Sequence, residues 1–278
     1  MPSSKVETTV IGVAVLSGLV ACVLAAAGFS DPPIGFSPQN DYVGPFVVAI
    51  FVLWFYAAYW AFDIRRALSA PLFRNQALGM GLVAIGWLGF NAFNSFPQSE
   101  VGIVVFEETG AVLVAIVLTL YWIDASILAA QHTDPLQRNT LRWREVRWIL
   151  WPFFAFVTAL TLLVSFVPSL VGLQPVWNGA AGIGAIGIIV AVLAAAFARS
   201  VMRSKDRTIK MHLRWFGLSL AGWLGILTIF PIVATSLGIS SLNATTASQA
   251  LAYTAFAYCV YRSAKSLAPL EQVQRLTT

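Results

Sequence analysis

Charge is what this sequence has least of. Only 10% of its 278 residues are Asp, Glu, Lys or Arg, against about a quarter in an ordinary soluble domain. With 58% hydrophobic residues beside so little charge, water cannot be the main solvent of the fold. In lipid every backbone N–H and C=O must be paired within the protein, which leaves helices or a closed barrel. The apolar runs here continue for about 20 residues instead of alternating over ~10, so helices are the consistent choice.

Other scarcities exclude chemistry. The two cysteines, Cys22 and Cys259, lie inside separate apolar runs with no Cys-x-x-Cys or Cys/His spacing, and read as small buried hydrophobes. The two histidines, His132 and His212, are expected at the cytoplasmic rim, at places that do not correspond, so they give no haem-ligand pair. Lys5, Lys205, Lys210 and Lys265 all fall at or beyond the ends of apolar runs, which excludes a mid-membrane retinal Schiff base. No His-Glu-x-x-His, Gly-x-Ser-x-Gly or phosphate-binding loop occurs. No catalytic residue, metal site or cofactor is assigned, and an enzyme is the least supported class.

What is present is a series of spans, near 9–29, 43–63, 76–96, 103–128, 147–170, 177–198, 213–236 and 246–264. Basic residues gather in alternate connections: Arg65, Arg66 and Arg74 after span two, Arg138, Arg142, Arg144 and Arg147 after span four, Arg199 to Arg214 after span six, and Arg262, Lys265 and Arg275 at the end. The other connections, with Asp31, Asp41 and Glu100, hold none. The positive-inside rule then places those four segments, and both termini, in the cytoplasm. The net charge of +5 is accounted for by topology, so no nucleic-acid partner is expected. Ala25-Ala26-Ala27 offers an alternative reading as a signal-peptidase site. The run before it is long for a signal peptide, and an uncleaved span is the plainer reading.

The chain also repeats itself. Ala84-Ile85-Gly86-Trp87-Leu88-Gly89 in span three returns as Leu220-Ala221-Gly222-Trp223-Leu224-Gly225 in span seven, an offset of 136. Ala61-Phe62 and Arg65 mirror Ala196-Phe197 and Arg199, Phe96-Pro97 mirrors Phe230-Pro231, and Tyr121 pairs with Tyr258 at an offset of 137. The expected fold is therefore an all-α integral membrane protein, with eight transmembrane helices arranged as two parallel four-helix repeats. Residues 1–137 and 138–270 are the halves and 271–278 a cytoplasmic tail. Small residues should mediate helix packing, among them Ala77 and Gly81, the Gly187/Ala191/Ala195 stripe, and the glycines flanking Trp87 and Trp223.

The candidate ligand-binding residues are Glu107 and Glu108 at the outer end of span four, Asn91 and Asn94 near the outer end of span three, and Trp87 with Trp223. Ionised carboxylates must face water, a partner or a cavity, and the two Asn amides across a short loop would complete an outward vestibule. The plainer account leaves the glutamates in the headgroup zone. Glu108, Thr119 and Ser126 share a helix face, though Thr and Ser usually bond a backbone carbonyl or a neighbouring helix. Asp63 and Asp124 are expected to pair with nearby Arg66 and the inner basic segments. The stretch Arg203-Ser204-Lys205-Asp206, continuing to His212-Leu213-Arg214-Trp215, resembles the basic loop and helix start of an uncharacterised family of bacterial membrane proteins, and no function follows from it. The expectation is a protein in the lipid bilayer that binds or transports a small molecule or ion at the seam between its halves. Its competitor is a receptor or sensor module, or an anchor for membrane partner subunits.

Overall fold

The computed structural model describes residues 4–29, 43–68, 71–95, 117–128, 147–149, 151–153, 155–156, 159 and 207–267, and no strand occurs among them. Its longer helices are α1 (Ser4–Ala26), α2 (Val43–Ala67), α3 (Pro71–Ser95), α4 (Val117–Leu128), α5 (Arg207–Ser236) and α6 (Ser241–Lys265). Three stretches, Lys5–Ala26, Gly44–Ala67 and Lys210–Ser236, are long and apolar enough to cross a bilayer. The chain is thus an all-helical protein suited to a membrane.

α3 and α6 have 25 residues each, enough to exceed ~30 Å at ~1.5 Å per residue. Polar residues within both helices turn inward. Gln76 on α3 and Ser248, Thr254 and Ser263 on α6 are all buried. α6 packs against α1, α2, α3 and α5, which its buried small residues, including Ala247, Ala250, Ala257 and Ala264, permit. Where lipid offers no hydrophobic driving force, such close approach is what holds helices together.

α1 illustrates the division between lipid and protein. Ile11, Ala14, Gly18, Ala21, Cys22 and Ala25 are buried, whereas Val13, Leu16, Leu19, Val20 and Val23 are exposed on the other face. A side chain at Gly18 would collide with Thr254 of α6. Gly28, with φ of 89°, ends the helix in a left-handed turn, its N–H bonding Ala25 O and the Phe29 N–H reaching back to Leu24 O. Gly238 ends α5 in the same manner.

Helix starts precede the apolar spans: α1 begins at Ser4 instead of 9, and α5 at Arg207 instead of 213. Hydropathy registers only the hydrocarbon-like part of a helix, and the backbone ladder continues into polar residues at the rim. The expected packing role of small residues holds at Gly81, where a Cβ would meet the Phe62 ring at 2.9 Å. At Gly89, Gly222 and Gly225 nothing among the described residues lies within 4 Å of an added Cβ. The Gly187 stripe lies outside the described residues.

Candidate functional site

Of the candidate residues, Glu107 and Glu108 lie outside the described residues. Asn91 and Asn94 belong to the last turns of α3, and only their backbone is described. Trp87 and Trp223 are brought together, with ring centroids 5.8 Å apart at 69°. Phe256 of α6 completes the cluster, 5.3 Å from Trp87 and 5.9 Å from Trp223, and Tyr253 lies 5.9 and 6.3 Å from the same two rings. The Trp87–Trp223 and Trp87–Phe256 pairs are edge-to-face, which aligns positive ring edges with negative faces. The Trp87 indole donates to Thr119 Oγ1 at 3.1 Å, tying α3 to α4, while the buried Trp223 Nε1 has no acceptor among the described residues. Trp87→Phe keeps most of the ring packing and deletes that bond. Its expected cost is about 1 kcal/mol, read as a lowered midpoint of unfolding in detergent, and an unchanged midpoint would show that the bond contributes nothing.

A second, polar layer lies further along the same helices. Gln76 Nε2 donates to Ser126 Oγ at 3.4 Å, joining the start of α3 to the end of α4. In α5, His212 places Nδ1 2.9 Å from the Ser263 carbonyl of α6, and Ser263 Oγ donates to His212 O at 3.0 Å. Nδ1 also lies 2.8 Å from Ser263 Oγ; because that hydroxyl donates to His212 O and the Ser263 carbonyl only accepts, the ring proton is assigned to Nδ1 and, in the neutral ring, Nε2 is a bare acceptor. Trp122 of α4 lies against α5, its ring 6.0 Å from His212 and 4.1 Å from Phe216. Gln76 Oε1, Trp122 Nε1 and His212 Nε2 are all buried without a partner among the described residues. His212 is thus not at a solvated rim: it is fully buried, because α5 starts early enough for its second turn to pack on α6. His132 lies outside the described residues.

A third cluster went unread in the sequence. Glu7 in the first turns of α1 is buried, and its Oε1 accepts from Trp60 Nε1 at 2.8 Å, Tyr261 Oη at 2.6 Å and Lys265 Nζ at 3.0 Å. The ammonium also stands over the Trp60 ring at 5.4 Å. One carboxylate therefore clamps α1, α2 and α6, and sets the start of α1 beside the end of α6. The available signal was an acid just ahead of a long apolar run, which has to find donors inside the bundle. Asp124 pairs with Arg147 at 2.7 Å, whereas Asp63 forms no ion pair among the described residues. Thr119 and Ser126 each accept a bond from α3, the neighbouring-helix role.

Comparison with protein-family profiles, curated proteins and solved structures finds no match for this chain. What it does is therefore read from its own residues. Among the described residues no group of three His, Cys, Asp or Glu could hold a metal ion. The arrangement offers recognition: an aromatic wall formed by two tryptophans, beside a layer of buried polar atoms with unused bonding capacity.

Proposed function

We propose that the chain is a multi-pass membrane protein of eight helices in two parallel four-helix halves, 1–137 and 138–270, which binds or transports a small molecule or ion at the seam between them. The observation that carries this reading is the Trp87–Trp223 contact. In the repeat each residue is the other's counterpart, and a residue touching its own counterpart stands beside the axis relating the halves, where ligand sites of such proteins favour the seam.

Other contacts support the repeat. Adding 136 to the α3 number and 137 to the α4 number carries Gln76–Ser126 onto His212–Ser263, and Trp87–Thr119 onto Trp223–Phe256. The same shifts carry the approach of Tyr121 to Gly79 onto the Trp215–Tyr258 ring contact. A shift of 137 carries Asp124 onto Tyr261, and each bonds the helix that opens a half, Asp124 through Arg147 and Tyr261 through Glu7. Repetition of composition alone would not reproduce pairings between helices.

The Glu7–Lys265 bond, which joins the start of α1 to the end of α6, supports both termini on one side, and the basic segments favour the cytoplasm for it. A reporter active on one face only, fused to each terminus in turn, is expected to report the cytoplasm both times. An external N-terminus would end both the eight-span count and the four-plus-four repeat.

Ligand entry is assigned to the outer vestibule of Glu107, Glu108, Asn91 and Asn94. Purified protein screened against a metabolite panel by thermal shift, with uptake into proteoliposomes for any binder, tests the function. Binding abolished by Trp87→Leu or Trp223→Leu in folded protein supports the seam. Unchanged affinity in both, or no saturable binder in the panel, counts against it and favours the receptor or anchor role. Glu107→Gln and Glu108→Gln address entry separately: wild-type uptake in both would remove the vestibule.

A further inference from the structure

The polar layer has a donor and acceptor pattern that selects ligand chemistry. Gln76 and Trp122 are neighbours: Gln76 bonds Ser126, one turn along α4, and Gly79, one turn along α3, lies against Trp122. A Cβ at Gly79 would sit 3.1 Å from the Trp122 Cα and 3.3 Å from its Cβ. Trp122 in turn contacts the His212 ring. Trp122 on α4 therefore stands next to Gln76 of α3 on one side and His212 of α5 on the other. Each is at most 1% exposed, and each keeps one polar atom without a partner among the described residues. The spare atoms are two acceptors, Gln76 Oε1 and His212 Nε2, and one donor, the Trp122 indole N–H.

We infer that these three residues form a recognition site for a small uncharged carboxamide or urea-type group. Its two N–H bonds satisfy the amide oxygen and the imidazole nitrogen, and its carbonyl accepts from the indole. Other common groups fail the count. A carboxylate has no donor for the two acceptors, an alkylammonium has no acceptor for the indole, and an alcohol has only one donor. None of the three atoms carries a formal charge with the ring neutral, so a charged ligand would lose water without receiving a counter-charge from them. The fixed Nδ1–H bond to the Ser263 carbonyl holds the imidazole orientation, so Nε2 presents its lone pair without rearrangement. The inference deepens the seam reading and rests on it only for the ligand's route to the site.

Histidine NMR reads the site directly. His132→Gln leaves one histidine of two, and the 15N-histidine-labelled variant in phosphatidylcholine bilayers is titrated with urea and acetamide, then with sodium acetate and methylammonium chloride. The expected result is a saturable shift of the His212 Nε2 resonance with the two neutral amides and none with the two ions. Trp122→Phe, which removes the donor, should weaken the urea response about tenfold, the effect of one hydrogen bond. If it fails to fold, the parent titration alone decides. A flat Nε2 response to the amides, or one equal for all four solutes, overturns the inference. Saturable amide binding without uptake of either amide leaves the site standing and counts only against transport.

Discussion

Replacing Glu7 with leucine is expected to cost about 3 kcal/mol of stability, toward the lower end of what removing one partner of a buried ion pair costs. The leucine fits an apolar helix and is itself favourable in lipid. The loss comes from what it strands: the Trp60 indole, the Tyr261 hydroxyl and the Lys265 ammonium all donate to Glu7 Oε1. Tyr261 is only 4% exposed, so its hydroxyl loses its acceptor with little water to replace it. Lys265 has a side chain 36% exposed and can turn to solvent, which is why the upper end of the range is not expected. Glu7→Gln should fall in between, since the amide oxygen still accepts but the charge is gone. Lys265→Met added to Glu7→Leu should cost less than the sum of the single changes, because the ammonium no longer needs the carboxylate; a coupling of about 1 kcal/mol or more is expected. Reversible unfolding in mixed micelles measures all four. A Glu7→Leu loss below ~0.5 kcal/mol, or strict additivity, would show the clamp to be decorative.

That clamp also marks the limit of what could be read from the sequence. Span positions were legible because hydropathy follows the lipid-facing residues, as on α1 and α5. The repeated Gly-Trp-Leu-Gly was legible because it is contiguous. Glu7, Gln76 and His212 were not, because their meaning depends on partners 254, 50 and 51 positions away. Read singly, a polar residue near a span end looks like a rim residue. His212 was placed there for that reason, and only the packing of α5 on α6 encloses it. The sequence offset did hold a signal: His212 lies 136 positions after Gln76 and Ser263 lies 137 after Ser126, and each of these polar residues bonds across helices. A small residue permits close approach but does not compel it.

Gly18 is where permission becomes requirement. A methyl group there would overlap the Thr254 side chain on α6, reaching its methyl, its hydroxyl and its Cβ, the last at 2.9 Å. The first two can be moved by rotating the side chain, although rotation breaks the bond from Thr254 Oγ1 to the Ala250 carbonyl at 2.7 Å. The Cβ is fixed to the backbone, so α1 and α6 must separate by a few tenths of an ångström along a face lined with Ala14, Ala21 and Ala25. Overpacking of this kind costs about 1–3 kcal/mol. Against it stands the helix preference of alanine over glycine, about 1 kcal/mol at most in water, and less where the unfolded chain stays helical in detergent. Overpacking wins, so Gly18→Ala should destabilise by about 1–2 kcal/mol and Gly18→Leu by about 3 kcal/mol or more. Thr254→Ala alone should be nearly silent, since among the described residues its hydroxyl bonds its own helix, at the Ala250 carbonyl. Combined with Gly18→Ala it should restore most of the lost stability, because two of the three overlapping atoms are gone. Unfolding midpoints of the two single variants and the double variant test this contact specifically: a Gly18→Ala protein as stable as the parent, or a double variant no better than Gly18→Ala, would mean that α1 does not pack on α6 through this pair.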